Sequence, residues 1–364
     1  MIKQLARKCI FGVRPYIPGK PIDEVKRELG LSSVAKLASN ENALGPSPMA
    51  VRAARKALTG VHRYPDGASY YLKKDLAKAL GLQKDNIAVG NGSDELIVLA
   101  ARAFLEKNDE VVIAKPTFLI YEIASKIAGA KIRSVPLKDF RYDLKAMKSA
   151  VGRKTKMVFI ANPDNPTGTF VTKRELKAFF KGLSNNVVVF IDEAYYEFAN
   201  KNREYPNGLD YVTRPNVIVS RTFSKAYGLS GLRVGYGIGS KEMIGCIERV
   251  REPFNVNIVA QAAARAALKD SAFLKKTIAH VRREKEHLYR EFSLLGLKYV
   301  PSAANFVLIN AERPSYHIFE ELMKRGYIVR DMGAWGFKTL IRVTVGTKRE
   351  NRGFIKALRE VLGK

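Results

Sequence analysis

Cysteine, histidine and acidic residues are scarce in this chain of 364 residues. It contains two cysteines and four histidines, too few for a disulfide framework and without the spacing of zinc ligands. The closest histidines, His280 and His287, would stand about 10 Å apart along a helix. We therefore expect no histidine-based metal site, and the low cysteine content favours a reducing, cytoplasmic compartment.

Long hydrophobic runs are also missing. The longest runs, such as VVVFI at 187–191, have the length of a strand, whereas a membrane-spanning helix needs about 18 apolar residues or more. Because 46% of the residues are hydrophobic, the chain can still bury a large core. We expect a water-soluble globular protein. Residues 1–20 are basic and lack the apolar core of a signal peptide, so we expect an N-terminal arm.

The shortage of acidic residues gives the chain a strong positive charge. Its 63 lysines and arginines exceed its 35 acidic residues, a formal net charge of +28. One hypothesis is a nucleic-acid-binding protein that neutralises phosphates. The basic residues are nevertheless spread along the chain, with no block longer than pairs such as Lys73–Lys74, and no nucleic-acid-binding module is present. We therefore expect neither a specific nucleic-acid partner nor a membrane partner.

Strand-like and helix-like segments alternate through the first two thirds of the sequence. Thr172 and Glu175 have the spacing of a helix-capping pair, which predicts a helix over 172–183. Alternation of this kind predicts an α/β fold with a mainly parallel central sheet flanked by helices, whose strands read as apolar runs. The strand-like segments are 86–92, 110–116, 156–163, 187–193 and 216–221.

The pattern changes after residue 255. A long helix-prone stretch over 256–295 is followed by strand-like segments within 299–310 and 326–346, and these frame or precede helical segments at 314–325 and 348–362. The sequence predicts a smaller α+β domain there. We expect an N-terminal arm and small-domain segment over 1–44, a large domain over 45–255, a small domain over 256–364, and a ligand site where the two domains meet.

Reactive side chains follow two of the predicted strands. Lys225 comes after the strand that ends near Arg221, and Asp192 ends the strand VVVFID. A lysine is by default a solvated surface charge, but ligands of open α/β sheets bind at the carboxyl ends of strands. A lysine held there is a candidate Schiff-base former. A carboxylate at a buried strand end is often an ion-pair partner, but it can also hold the proton of a pyridine ring.

Two further segments suit a ligand that carries an anion and a ring. Asn165 lies in NPDNPTG, where two prolines and a glycine predict a rigid turn. Gly92 leads directly into a predicted helix at Ser93, and backbone N–H groups at a helix N-terminus bind anions. Each turn alone is equally compatible with a purely structural role.

Together these segments resemble the fold-type I pyridoxal-phosphate aminotransferases, and among them the branch that acts on histidinol phosphate. The resemblance covers nearly the whole chain, in the order of the family. Its motifs are RPYIPGKP at 14–21, KLASNENALGPSP at 36–48, RYPDG at 63–67, GNGSDE at 90–95, PTFLIY at 116–121, NPDNPTG at 162–168, DEAY at 192–195, SKAYGLSGLRVGY at 224–236, VRDMGAWG at 329–336 and IRVTVG at 341–346.

The resemblance assigns roles around a pyridoxal phosphate cofactor. Lys225 would carry the cofactor as a Schiff base, Asp192 would face the pyridine nitrogen, and Tyr195 and Asn165 would contact the ring hydroxyl. Tyr64 would reach the cofactor phosphate of a second subunit, which implies a homodimer with shared active sites. The residues implied in stacking on the ring or in binding its phosphate are Phe118, Gly92, Ser93, Asp94, Ser224 and Arg233.

The implied reaction is a ping-pong transamination in histidine biosynthesis. Histidinol phosphate and 2-oxoglutarate would give imidazole acetol phosphate and glutamate, with Arg330 and Arg342 binding the anionic groups of substrates and Tyr16 and Asn42 lining the same pocket. Arginine suits this task because its planar fork binds carboxylate and phosphate alike. Two alternatives share the motifs and stay open: an aromatic amino-acid aminotransferase and a threonine-phosphate decarboxylase.

Overall fold

Strands and helices alternate along most of the chain, in a computed structural model that describes residues 2–13, 15 and 19–364. The strands are β1 Ala35–Lys36, β2 Ile87–Gly90, β3 Glu110–Lys115, β4 Lys131–Pro136, β5 Thr155–Ala161, β6 Val188–Asp192, β7 Val217–Thr222, β8 Gly235–Gly239, β9 Lys298–Val300, β10 Phe306–Asn310, β11 Tyr327–Ile328, β12 Arg330–Asp331 and β13 Leu340–Thr344. The helices are α1 Ile2–Leu5, α2 Ile22–Leu29, α3 Pro48–Leu58, α4 Tyr70–Leu80, α5 Ser93–Phe104, α6 Leu119–Ala128, α7 Leu144–Ser149, α8 Lys173–Phe180, α9 Tyr196–Ala199, α10 Lys241–Val250, α11 Ile258–Lys269, α12 Ser271–Leu294, α13 Ser315–Lys324 and α14 Lys348–Leu362.

A seven-stranded sheet forms the largest core. Its order is β2-β8-β7-β6-β5-β3-β4; β8 runs antiparallel to both neighbours, and the other neighbouring pairs are parallel. Strands β2, β6 and β7 are buried along their whole length, as expected for strands covered on both faces. The five predicted strands coincide with β2, β3, β5, β6 and β7, so the predicted mainly parallel sheet is present.

Local capping fixes where two helices of this core begin. Thr172 Oγ1 accepts the N–H of Glu175 (3.2 Å), and Glu175 Oε2 accepts the N–H of Thr172 (2.6 Å), which forms the predicted capping pair before α8. Helix α5 begins at Ser93, as predicted, but without a capping side chain. Gly92, with φ of 84°, is its N-cap and makes no side-chain hydrogen bond, while Asp94 lies in the first turn.

The C-terminal part of the chain builds a second core. An antiparallel sheet of order β12-β13-β10-β9 packs with buried apolar residues of α12, α13 and α14. The N-terminal segment joins this part of the molecule, because β1 pairs in parallel with β11 and Leu37 is buried in the same core. Residues near the start of the chain lie elsewhere, because Arg7 and Cys9 both donate to the carbonyl oxygen of Ile127 in helix α6 of the large core.

Two helices, α11 and α12, occupy the helix-prone stretch over 256–295. Asp270 separates them and accepts the N–H of Phe273 (3.1 Å), so that it caps α12. Helix α11 packs against α3 through buried alanines, including Ala260 and Ala264, which belong to the core of the central sheet. Small side chains permit this close approach. The buried alanines of α11 therefore belong to the core of the central sheet, whereas buried residues of α12 belong to the second core.

Within the described residues, 2–13, 15 and 19–364, no helix is both long enough and apolar enough to cross a membrane.

Candidate active site

Three parallel strands bring the predicted reactive residues to one edge of the central sheet. Strands β5, β6 and β7 are neighbours, so the loops that follow them emerge side by side. A cavity of about 390 Å³ opens at this edge and reaches the small sheet. Eleven of the fifteen predicted site residues line it: Ser93, Asp94, Phe118, Asn165, Asp192, Tyr195, Ser224, Lys225, Arg233, Arg330 and Arg342.

Lys225 presents a reactive amine to this cavity. Its Nζ donates to the carbonyl oxygen of Ser39 (3.2 Å) and lies 5.9 Å from the ring centre of Tyr195. Enclosure by protein atoms lowers the pKa of the ammonium to about 8, and the positive charge of Arg342 acts in the same direction. The amine is therefore neutral in a far larger fraction of molecules near neutral pH than an ordinary lysine.

Asp192 is a buried carboxylate with two hydroxyl donors. Tyr121 Oη donates to Asp192 Oδ2 (2.7 Å), and Ser220 Oγ donates to Oδ1 (3.0 Å). Burial raises the pKa of Asp192 to about 6, although both hydrogen bonds act to lower it. A buried carboxylate of this kind favours a cationic partner in the cavity, because such a partner would offset the cost of desolvating its charge.

Tyr195 is held by a residue from the N-terminal segment. Asn40 Nδ2 donates to Tyr195 Oη (2.9 Å), and Thr344 Oγ1 donates to Asn40 Oδ1 (3.1 Å). Burial raises the pKa of Tyr195 to about 12, so its phenol stays protonated and can act as a donor. Asn305 Nδ2 also donates to the carbonyl oxygen of Asn40 (3.0 Å). The small sheet thus fixes a group that faces the cavity.

One end of the cavity is suited to a phosphate. The N-terminus of α5 faces Arg233, whose Nη2 contacts Asp94 Oδ2 (3.1 Å) and whose Nη1 contacts Ser224 Oγ (3.4 Å). A side chain at Gly92 would collide with this arginine, since a Cβ there would lie 2.5 Å from Arg233 Nη2. Gly92 therefore allows a guanidinium to approach the helix N-terminus, and the two together attract an anion.

Two arginines face each other from neighbouring strands at the other end of the cavity. Arg330 of β12 and Arg342 of β13 are register partners. Arg342 is 6% exposed, donates to the carbonyl oxygen of Ala38 (2.7 Å), and is hydrogen bonded to Asn165 Oδ1. Two positive charges at paired positions of neighbouring strands repel each other. An anionic group of a ligand would offset this repulsion, so the pair is well suited to binding one.

The remaining predicted residues lie elsewhere. Asn42 does not line the cavity, and its Nδ2 donates to the carbonyl oxygen of Ala226 (3.1 Å). Asn40, from the same motif, lines the cavity instead. Gly92 stands behind the lining as the N-cap of α5. Tyr64 is 82% exposed and stacks on Phe254, with ring centres 4.7 Å apart. Tyr16 lies outside the described residues.

Several lining residues were not predicted from the sequence. Asn40 and Tyr121 both lie inside the quoted motifs, KLASNENALGPSP and PTFLIY, but their hydrogen-bond partners are far away along the chain. Trp335 lies in VRDMGAWG and also lines the cavity. It is the only tryptophan in the sequence, and its position inside a family motif is a signal for a residue of the site.

The cavity fits a planar cofactor that bears a phosphate. Lys225 offers an amine, Asp192 a buried carboxylate for a protonated ring nitrogen, and Phe118 an aromatic ring at the cavity wall. Arg233 and the N-terminus of α5 supply the anion-binding end. These donors and charges match the aldehyde, pyridine and phosphate groups of pyridoxal phosphate.

A mainly parallel sheet that carries a lysine and a carboxylate at one edge, with two arginines of the small sheet lining the same cavity, is typical of the fold-type I transferases. The model of the family "Aminotransferase class I and II" matches residues 32–358. The chain belongs to this family.

Several relatives that this chain matches over nearly its full length are histidinol-phosphate aminotransferases. A histidinol-phosphate aminotransferase of Moorella thermoacetica is 49% identical over 98% of this chain and 92% of its own length. Histidinol-phosphate aminotransferase 2 of Carboxydothermus hydrogenoformans is 47% identical over 98% of this chain and 99% of its own length. The crystal structure of the Sinorhizobium meliloti histidinol-phosphate aminotransferase, in complex with pyridoxal 5'-phosphate, has a TM-score of 0.91 at 30% identity and covers 98% of this chain and 97% of that one.

These findings confirm the predicted enzyme family and fold. They do not test the individual site residues, which stay predictions supported by the geometry described above.

Proposed function

We propose that this aminotransferase uses pyridoxal phosphate to transfer the amino group of histidinol phosphate to 2-oxoglutarate. The observation that carries the proposal is one cavity with the Lys225 amine, the Asp192 carboxylate and the opposed pair Arg330 and Arg342. The names of the relatives favour histidinol phosphate over aromatic amino acids and over decarboxylation of threonine phosphate.

Lys225 and Asp192 divide the proton chemistry between them. Pyridoxal phosphate, when bound, supplies an aldehyde carbon that exchanges amines and a ring that accepts electrons. Lys225 Nζ, with its lowered pKa, accepts a proton from the α-carbon of the donor and can return it as a general acid. Asp192 holds the proton at a ring nitrogen, while the Tyr195 phenol donates to a ring oxygen.

Two anion-binding ends orient the donor relative to this machinery. Arg233 with the N-terminus of α5 holds one phosphate, that of the cofactor. Arg330 and Arg342 hold the phosphate of histidinol phosphate, and they hold a carboxylate of glutamate or 2-oxoglutarate in the other half of the ping-pong cycle. One guanidinium pair can serve both because it binds either anion in a bidentate manner.

A comparison of donors tests the proposed substrate. We expect kcat/KM for histidinol phosphate with 2-oxoglutarate to exceed kcat/KM for phenylalanine and tyrosine, measured as glutamate formation. Threonine phosphate should release no carbon dioxide. Faster turnover of an aromatic donor, or carbon dioxide release, would assign the chain to one of the two alternative reactions.

We further propose that the chain acts as a homodimer in the cytoplasm. Tyr64 is largely exposed and stacks on the exposed ring of Phe254, and further exposed apolar side chains lie near Tyr64 in the sequence. Such a patch is typical of a subunit interface. The two cysteines are free and partly exposed, which suits a reducing compartment. The exposed residues are Leu58, Val61, Tyr70, Tyr71 and Phe254.

A further inference from the structure

Trp335 lies on a short turn that is fixed to the small sheet. The turn Gly333–Trp335 follows β12. Asp331 Oδ1 accepts the N–H of Gly333 (3.0 Å) and the hydroxyl of Ser315 (2.6 Å), so the carboxylate ties the turn to the start of α13. The position of the indole is therefore set by the small sheet.

The indole N–H of Trp335 crosses to the other core. Nε1 donates to the carbonyl oxygen of Thr117 (3.2 Å), the residue before Phe118. Thr117 is itself anchored, because its Oγ1 donates to the buried carboxylate of Asp164 (2.9 Å). Trp335 thus connects the turn after β12 to the loop that presents Phe118 to the cavity.

The ring of Trp335 meets the guanidinium of Arg330. The guanidinium carbon lies 5.0 Å from the ring centre, within the range of a cation–π contact, and both side chains line the main cavity. A contact of this kind restricts the orientation of the arginine, in addition to the other contacts that Arg330 makes.

Trp335 also separates two cavities. Trp335 and Phe118 both line the cavity that contains Lys225, and both also line a neighbouring cavity of about 180 Å³. The smaller cavity is mostly apolar and includes Ile113 and Leu119 in its lining. Loss of the indole would join the two spaces and remove one wall beside Arg330.

We propose that Trp335 is a positioning residue that sets the preference for a phosphorylated donor by fixing the orientation of Arg330 at the cavity wall. The inference rests on the proposed function and adds a residue to it. Trp335 acts through the guanidinium, so its removal should weaken binding of the distal phosphate without slowing the proton transfers at Lys225.

Three variants separate the contributions. Trp335→Leu removes the stacking surface, Trp335→Phe keeps an aromatic face but loses the hydrogen bond to Thr117, and Phe337→Leu is the matched control. Phe337 packs in the same small cluster as Trp335 but does not line the cavity. Thermal unfolding of the holoenzymes checks that all three variants fold.

The kinetic readout compares histidinol phosphate with histidinol. For Trp335→Leu we expect KM for histidinol phosphate to rise roughly 3- to 30-fold, the equivalent of a lost cation–π contact, with kcat nearly unchanged and a much smaller change in KM for histidinol. Trp335→Phe should fall between wild type and Trp335→Leu, and Phe337→Leu should match wild type.

Equilibrium binding provides a readout that does not depend on turnover. Because Trp335 is the only tryptophan, its emission in the wild-type holoenzyme reports on its own surroundings. Titration with imidazolylpropyl phosphate, an analogue without an amine, should change this emission at lower concentration than titration with imidazolylpropanol. Calorimetry should show the same roughly 3- to 30-fold loss of affinity for the phosphate analogue in Trp335→Leu.

Equal effects of Trp335→Leu on both donors, no effect on either, or an equal effect of Phe337→Leu would overturn the inference. A wild-type enzyme that does not turn over histidinol phosphate would instead refute the proposed function. The calorimetric comparison would still decide whether Trp335 supports phosphate binding at Arg330.

Discussion

Two lysines with similar pKa shifts have different surroundings, which allows a controlled test of Lys225. Lys285 is also buried, its pKa is also lowered to about 8, and it donates to the carbonyl oxygen of Ala304 (2.9 Å) away from the cavity. We predict that Lys225→Ala lowers kcat about a hundredfold to ten-thousandfold, the usual contribution of a general base. Lys285→Met should retain most of the turnover per folded molecule, and substantial turnover in Lys225→Ala would contradict the assigned role.

The lowered pKa of Lys225 also has a consequence for cofactor uptake. Only the neutral amine reacts with an aldehyde, and below a pKa of about 8 its fraction falls about tenfold per pH unit. We therefore predict that the cofactor-free protein takes up pyridoxal phosphate faster as the pH rises from about 6.5 to 8, with a plateau above. Stopped-flow absorbance measures this rate. A rate independent of pH over this range would show that the amine is not the titrating group.

Glu197 is a buried carboxylate that the proposed reaction does not use. Burial raises its pKa to about 7, and its Oε2 has no hydrogen-bond partner. A carboxyl whose pKa is raised on folding destabilises the fold as the pH rises from its unfolded pKa towards 7, because ionisation then costs more in the folded state. We predict that Glu197→Gln increases the free energy of unfolding relative to wild type, and that this increase is about 1–3 kcal/mol larger at pH 8 than at pH 5. Urea unfolding at both pH values measures the difference, and an equal effect at both would contradict it.

At the scale of elements, two glycines allow the effect of backbone conformation on stability to be measured separately from the effect of packing. Gly168 (φ +76°) and Gly182 (φ +73°) both have left-handed backbone conformations, but a Cβ at Gly168 would lie 2.7 Å from Ser302 Cβ, whereas nothing lies within 4 Å of one at Gly182. Both Gly→Ala changes should cost about 1–2 kcal/mol for the backbone. Gly168→Ala should in addition displace the loop that carries Asn165.

We therefore predict a loss of activity in Gly168→Ala only. The carbonyl oxygen of Gly168 accepts the N–H of Ala303 (2.7 Å), so the loop after β5 is joined to the loop before β10 at this point. Steady-state kinetics and urea unfolding of both variants measure the two effects. Equal activity in both variants would mean that this contact does not support the site.

The elements also show why part of the site was predictable. Lys225 and Asn165 each follow a strand and Asp192 ends one, and parallel neighbouring strands bring such residues together, so local sequence indicated their shared location. Asn40 reaches Tyr195 across 155 positions of the chain, a contact that no local pattern encodes. The sequence identified 256–295 as helix-prone without a break because its composition is uniform, whereas burial of the alanine face of α11 depends on α3.

The net charge of +28 belongs to the whole molecule and explains little of the site. Arg233, Arg330 and Arg342 each have a specific place in one cavity, and together they account for a small part of the excess. Membership of the aminotransferase family gives no reason to assign the rest to nucleic acid. The remaining charge can attract anionic metabolites over a distance, but recognition depends on the few cations that face the cavity.

The assembly proposed for the whole molecule can be tested by mixing two variants that each carry one impaired residue of the site. If Tyr64 completes the site of a second subunit, each active site contains Lys225 of one chain and Tyr64 of the other. The two variants are Lys225→Ala and Tyr64→Ala. A heterodimer of the two variants then contains one site with both defects and one site with neither. Random exchange between equal amounts should restore about a quarter of the wild-type activity, because half of the dimers are mixed and each has one intact site.

Activity after unfolding and refolding the mixture measures this recovery, with each variant refolded alone as the control. Recovery at this level requires both a dimer and a shared site. A mixture no more active than the sum of its parts, from chains that sedimentation shows to be dimeric, would place Tyr64 in the site of its own subunit or outside any site. If the chains sediment as monomers, the exposed patch around Tyr64 would need another explanation, and the active site would have to be complete within one chain.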